Sequence, residues 1–316
     1  MHRQSPAHDA AFVMCMIYLL QQLLNGLHIG ALYAALAFGY ALTNGVVHRT
    51  NLSFGALFAF AGQTAILVAV FGWHALWLTL PATVALGAAA GVAFALLAAW
   101  VLARSVFSRL AEKSPNAVVT ATLGVSIVLM ELGRIAAETR DFWLPPLLAI
   151  PVVFARDGAF AATLTVIQIV DVAAIALVLA LASSALAMSR FGREWRAVAD
   201  DPAAAAMCAV DTGRVFRRSI VLGAAAAAGA GILAALHFGN IGFGDGMIFG
   251  LKVLFLAAAG GYDSPPRAAL GAAAFGMAEA LWSGYFLLEW RDAAVFAALV
   301  AFLVLRRGVA DGRGQF

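Results

Sequence analysis

A chain of 316 residues that is 63% hydrophobic and only 12% charged, with mean hydropathy +0.91, lies far from the composition of soluble domains, which are about half apolar and about a quarter charged. Its apolar residues gather in runs near the ~20 residues that cross a bilayer, which excludes a soluble enzyme and makes it an integral membrane protein. The net charge of +3 is no sign of nucleic-acid binding, because basic residues in such a chain report which loops face the cytoplasm.

The polar tail Met1–Ala10 is followed by an apolar stretch that outlasts a signal-peptide core and continues through Tyr40, which reads as an uncleaved span. Apolar runs then place spans near Cys15–Val46, Phe54–Val70, Ala75–Ala103, Ala117–Ile135, Phe160–Met188, Ile220–His237, Met247–Gly260, Ala268–Leu288 and Ala293–Leu305. The expected fold is an all-α polytopic helical bundle of about eight or nine transmembrane helices, forming a single transmembrane domain over residues 1–316. Two runs are short, Phe54–Val70 and the glycine-bracketed Met247–Gly260. Each fits either a thin span or a re-entrant segment, which is tolerated only where protein or a water-lined cavity covers its free backbone groups. Phe54–Val70 is the one on which the count of eight or nine turns.

Charge orients the loops. Arg104, Arg109 and Lys113 stand against Glu112 alone, residues 190–218 carry Arg190, Arg193, Arg196, Arg214, Arg217 and Arg218, and the tail 306–316 carries Arg306, Arg307 and Arg313. The stretch from Glu138 to Asp157 holds Arg140 and Arg156 against Glu138, Asp141 and Asp157. The positive-inside rule therefore puts the first three segments, including the C-terminus, in the cytoplasm and the last outside. A full crossing at 54–70 would leave the N-terminus outside; a re-entrant segment would leave it inside.

The segment GREWRAVADDPAAAAMCAVDTGRVFRR, residues 192–218, is the polar interruption with the most internal detail. Asp201 suits an N-cap, its carboxylate accepting a free backbone N–H. Pro202 suits the first helical position, and the alanines after it have the best helix propensity. A short helix over Pro202–Val210 is expected, closed by Asp211, with Asp200 and Asp201 at the positive end of its dipole.

This segment resembles the cytoplasmic loop of the LivH/LivM-type permeases, the membrane subunits of ATP-binding-cassette importers for branched-chain amino acids. Gly192, Arg196, Ala197, Ala199, Asp201, Pro202, Ala205, Val210 and Asp211 fall on that pattern, while Ala209 stands where the family has glycine. LLNGLHIGALYAALAFGYALTNGVVHRTNLSFG, residues 23–55, resembles the first span and the motif after it, through Gly26, Gly30, Tyr33, Ala34, Gly39, Gly45, Asn51 and Gly55. Phe54 and Ala56 replace the histidine and glutamate often found there. GLKVLFLAAAGGYDSPPRAALG, residues 250–271, keeps Gly250, Lys252, Gly260, Gly261, Ser264, Pro266 and Gly271, but has Asp263, Pro265 and Arg267 at altered positions. The segment from Gly276, with Glu279, matches the terminal pattern. The resemblance covers nearly the whole chain in order, with the altered positions of a divergent member.

It implies a permease that pairs with a second permease subunit, the same or related, two cytoplasmic ATP-binding subunits and a periplasmic or extracellular substrate-binding protein, in an inner membrane. No G-x-x-x-x-G-K-[ST] phosphate loop occurs in the chain. It is therefore expected to be a transport subunit and not an enzyme, with no cofactor of its own and ATP used by its partners. The ATPase-coupling residues implied are Gly192, Arg196, Asp201, Pro202, Ala205 and Asp211. Gly26, Gly30, Gly55, Lys252, Gly260, Gly261 and Glu279 are motif residues, Lys252 and Glu279 being candidates for a pair across helices.

Polar residues within spans are costly and often functional. Thr122, Ser126, Gln168, Asp171 and Asn51 are the candidates for lining a polar path, set against the packing role that small hydroxyl residues often take in membranes. Glu131 and Arg134, at i,i+3, are expected to pair. Tyr40, Tyr285, Trp282 and Trp290 read as interfacial anchors. The histidines at 2, 8, 28, 48, 74 and 237 show no ligand spacing, His28 reads as packed, and no metal site is expected; Cys15 and Cys208 follow no metal or redox spacing. A permease for urea, amides or aromatic acids, an ion-coupled secondary transporter and a membrane-embedded enzyme are the competing functions.

Overall fold

Nothing in lipid satisfies a free backbone N–H or C=O, so apolar runs must close their own hydrogen bonds, and this chain does so almost wholly as helices. The computed structural model describes residues 6–107, 115–157 and 160–311. In chain order these form α1 (Pro6–Val47), α2 (Ser53–His74), α3 (Leu80–Leu102, prolonged by a π-helical turn at Ala103–Phe107) and α4 (Pro115–Ala136). A hairpin of β1 (Pro151–Asp157) and β2 (Phe160–Thr165) precedes α5 (Val166–Met188). Two short helices, α6 (Arg190–Asp200) and α7 (Pro202–Met207), lead into α8 (Thr212–Phe238). The chain ends with α9 (Asp245–Gly260), α10 (Pro265–Tyr285), a 3-10 turn at Leu288–Trp290 and α11 (Arg291–Asp311). Arg109, Glu112, Lys113, the first residues of the N-terminal tail and Arg313 lie outside the described residues.

Among the described residues, six helices are long and apolar enough to cross a membrane: α1, α2, α3 with its π turn, α4, α5 and α8. α9 and α10 pass the same test together but are bent by 115° across residues 261–264, so the count is six, or seven if the bent pair is one span. The expected eight or nine is not reached by this measure. α9 has 16 residues, about 24 Å of helix against the ~30 Å of a hydrocarbon core. The expected ambiguity at Phe54–Val70 resolves as a full-length helix, because Phe71, Gly72 and Trp73 continue it to His74. Of the two short runs, Met247–Gly260 is the one that falls in a broken or re-entrant element, the α9–α10 pair.

Burial sorts the helices into two layers. The apolar windows of α1, α2 and α8 are 83%, 67% and 61% buried, whereas those of α3, α4 and α5 are 22%, 28% and 17% buried. The inner layer is cored by Leu36, Tyr40, Phe54, Phe58, Leu256 and Leu299. α3 attaches through one stripe, Thr83, Gly87, Gly91, Ala95 and Ala99, which recurs every fourth residue and is its buried face. Such small residues let helix backbones approach closely in a membrane: a Cβ on Gly91 would sit 2.5 Å from the Ala61 carbonyl oxygen.

Two expectations change. Residues 160–165 do not begin a span; they pair antiparallel with β1, Pro151 opposite Thr165 and Asp157 opposite Phe160. A short apolar run with threonines at alternate positions fits a strand as well as a helix. Tyr40 is no interfacial anchor: it is 1% exposed, packed edge-on to Phe54, and its hydroxyl oxygen accepts the Asn51 N–H at 3.4 Å.

Candidate functional site

The α6–α7 segment is built onto the ends of α1 and α5. Ser189 caps α6, its Oγ accepting the Gly192 N–H at 3.1 Å. A side chain at Gly192 would collide with the Leu186 carbonyl, so glycine is what lets α6 fold back against the end of α5. Arg196 then donates to the carbonyls of Leu186 (2.9 Å) and Ala187 (3.4 Å), partnering acceptors that a helix C-terminus leaves open. From the preceding position the Trp195 indole N–H donates to the Leu42 carbonyl at 2.9 Å. A Cβ on Gly45 would come within 2.7 Å of the Trp195 ring. Trp195, Val198, Ala205 and Val215 share a buried cluster with Leu42, Val46 and Leu186.

α7 starts as its residues dictate. The Asp201 carboxylate accepts the N–H groups of Ala203 (2.8 Å) and Ala204 (3.1 Å), with Pro202 at the first position. It ends sooner than Val210, at Met207, in a Schellman closure. The Val210 N–H bonds the Ala205 carbonyl and the Ala209 N–H that of Ala206, both at 3.1 Å. The left-handed residue this requires is Ala209, at φ +62°, the position where the resembled pattern has glycine. Asp211 then caps α8, accepting the Arg214 N–H at 2.8 Å. Of the α7 residues only Ala205 is buried; Met207 is 88% exposed, so the helix offers a small apolar surface beyond the bundle.

The pair anticipated between Lys252 and Glu279 is made. Lys252 Nζ donates to Glu279 Oε1 (2.9 Å), Asp292 Oδ1 (3.1 Å) and the Tyr33 hydroxyl (3.3 Å). Arg291 adds a guanidinium 3.5 Å from Glu279. Lys252 and Glu279 are both buried, and the network joins α1, α9, α10 and α11. Buried charges persist only when paired in this way.

The other predicted residues fall in separate places. Asn51 accepts from the Ser53 N–H (3.0 Å) and hydroxyl (2.6 Å) at the start of α2. Thr122 Oγ1 accepts the Leu52 N–H (3.2 Å), and the Ser126 hydroxyl donates to the Leu52 carbonyl (3.0 Å), so both clasp the α1–α2 turn from α4. The Gln168 side-chain oxygen accepts the Thr165 N–H at 2.9 Å, closing the start of α5. Glu131 and Arg134 pair at 2.9 Å on an exposed face. Gly26 and Gly30 abut Met277 and Ala273 of α10, and Gly55 meets Gly246 and Gly250 of α9 backbone to backbone. Gly260 lies against Ala268, and Gly261 turns the bend at φ +95°.

His28 is packed, as expected, at 2% exposed. Asp171 is 1% exposed beside His28, with His28 Nε2 3.2 Å from Asp171 Oδ2, and the His237 ring lies 4.3 Å from that of His28. No spacing along the chain points to this cluster, because its members come from α1, α5 and α8. Trp195, Arg291 and Asp292 are not singled out by the sequence, whereas Tyr33 is, as a motif residue of the first span. Trp195 alone left a local signal, a large aromatic within a polar segment.

A membrane bundle carrying a pair of short capped helices on one end has the build of a polytopic transport subunit. Residues 22–304 match the family described as branched-chain amino acid transport system, permease component. The chain is 31% identical over 297 residues to the high-affinity branched-chain amino acid transport system permease protein LivH of Escherichia coli, covering 92% of this chain and 94% of that one. LivH of Salmonella typhimurium is 30% identical over the same shares. BraD of Pseudomonas aeruginosa, a permease protein of the same description, is 27% identical over 94% of this chain and 96% of its own. The chain belongs to the branched-chain amino acid transport system permease family.

Proposed function

We propose that this chain is the membrane-spanning permease subunit of an ATP-binding-cassette importer for branched-chain amino acids. It forms the translocation pathway with a second permease subunit, identical or related, as one membrane domain over residues 1–316. Two ATP-binding subunits attach on the cytoplasmic side and a binding protein delivers substrate from the other. The chain binds no nucleotide; ATP is consumed by the partners. The α6–α7 segment, residues 190–218 and the C-terminus face the cytoplasm of the inner membrane, as their arginines require.

The observation that carries this reading is the mounting of α7. Its exposed side is apolar and small, with Pro202, Ala203, Ala206 and Met207 outward. Its buried side is tied through Ala205 and Trp195 to α1. A helix gripped on one face and bare on the other suits a cleft in an ATPase whose closure moves it, biasing a two-state membrane element. Gly192 and Arg196 serve that role from beneath, by fixing α6 to α5.

The test is leucine uptake into proteoliposomes holding this chain with its partner subunits. Uptake should need ATP and the binding protein, and should be competed by isoleucine and valine but not by urea or acetamide. Met207→Glu should abolish co-purification of the ATPase while leaving the folded permease intact. Uptake driven by an ion gradient without ATPase would sink the proposal.

A further inference from the structure

His28, Asp171 and His237 come from α1, α5 and α8 and meet at the end of the bundle remote from α6 and α7. Asp171 sits in the second turn of α5, far from the end that leads into α6, and His237 is the last residue but one of α8. Each offers one ligand atom, and the three atoms lie within 4.8 Å of one another. His28 and Asp171 are 2% and 1% exposed. His237 Nδ1 is buried and has no hydrogen-bond partner among the described residues. A buried carboxylate and imidazole with a second, partly buried imidazole beside them form an expensive arrangement unless something joins them.

From these contacts we infer that His28, Asp171 and His237 form a binding site for one divalent transition-metal ion, which ties α1, α5 and α8 together at that end of the bundle. Two nitrogen donors and one carboxylate suit zinc, cobalt or nickel, whereas magnesium and calcium prefer oxygen donors throughout. Metal–ligand bonds of about 2.0–2.2 Å in a tetrahedral site put neighbouring ligand atoms roughly 3.3 Å apart. The His28–Asp171 separation of 3.2 Å already matches that spacing. The imidazole of His237, whose ligand atom lies within 4.8 Å of the other two, moves in to complete three protein ligands, which leaves a fourth position for water. The ion also offsets the buried carboxylate charge. The site is independent of the transport reading, since it concerns neither α7 nor the ATPase.

The experiment uses the full-length purified chain in detergent, stripped with a chelator and titrated with Co²⁺ alone, read by visible absorption. One equivalent per chain with intense ligand-field bands of low coordination number is expected. His237→Ala should weaken binding by more than about 10-fold, the loss typical even of outer-shell ligand partners. His237→Cys should retain binding and add a thiolate-to-cobalt charge-transfer band, a signature that a merely structural role for residue 237 would not produce. Thermal unfolding of the metal-free variants checks that each is folded. Absence of bands in the folded wild-type chain overturns the site, as do bands unchanged in His237→Ala, which would place the ion on other histidines.

Discussion

The indole of Trp195 donates a hydrogen bond to the carbonyl of Leu42, 153 positions earlier, at 2.9 Å. This bond fastens the polar α6–α7 segment to the most buried helix of the bundle. Trp195→Phe removes the bond and keeps most of the apolar contact, so a loss of about 1 kcal/mol is expected. Trp195→Ala leaves a cavity and should lose about 3–5 kcal/mol. Thermal unfolding of the purified chain measures both. In the reconstituted importer, Trp195→Phe should lower uptake per ATP hydrolysed, because hydrolysis continues while its displacement reaches α1 less faithfully.

Ala209 occupies a left-handed position that an alanine side chain resists, at a cost of about 1–2 kcal/mol. Ala209→Gly relieves this and gives back part of the gain as chain entropy. The net expectation is a stabilisation of roughly 0.5–1 kcal/mol, read as a raised unfolding midpoint. Asp201→Ala works in the opposite direction, freeing the N–H groups of Ala203 and Ala204, and should cost about 0.5–2 kcal/mol. An unchanged midpoint in both variants would show that α7 unfolds independently of the bundle.

Glu279→Gln strips Lys252 of its buried carboxylate partner and leaves Asp292, half in solvent, to balance it. Removing one member of a buried pair typically costs about 3–5 kcal/mol. The double variant Lys252→Met with Glu279→Leu deletes both charges and should recover most of that loss. A double variant no better than the single would mean that the surrounding groups, Tyr33 and Arg291, depend on the ions rather than on packing.

Gly55→Ala drives a methyl group into the backbone of Gly246 and Gly250. α2 and α9 must separate, and a loss at or above the upper end of the usual overpacking range of about 1–3 kcal/mol is expected. Gly124→Ala serves as the control, because a methyl there meets nothing within 4 Å. Expression level and the unfolding midpoint distinguish the two.

Features coded by neighbouring residues were legible in the sequence. The Asp201–Pro202 start of α7 and the Asp211 cap follow from side chains reaching backbone two or three positions away. The Lys252–Glu279 pair was legible because lipid forces such charges to find each other. His28 with Asp171, 143 positions apart, and Trp195 with Leu42 depend on how whole helices pack, which no local spacing encodes. The hairpin at 160–165 and the length of α2 were misjudged for a simpler reason. An apolar run carries no mark of whether it is extended or coiled, and the helix begun at Ser53 continues past Val70 to His74.

The crossing of α2 over α9 has a mechanical corollary. Gly55 and Gly250 own no rotatable side chain, so that junction holds nothing soft that could absorb a small push by rearranging itself. A shift of α2 there has to be taken up as sliding or swivelling of an intact rod, and the broken α9–α10 pair beyond it, hinged at Gly261, is where such a movement changes direction.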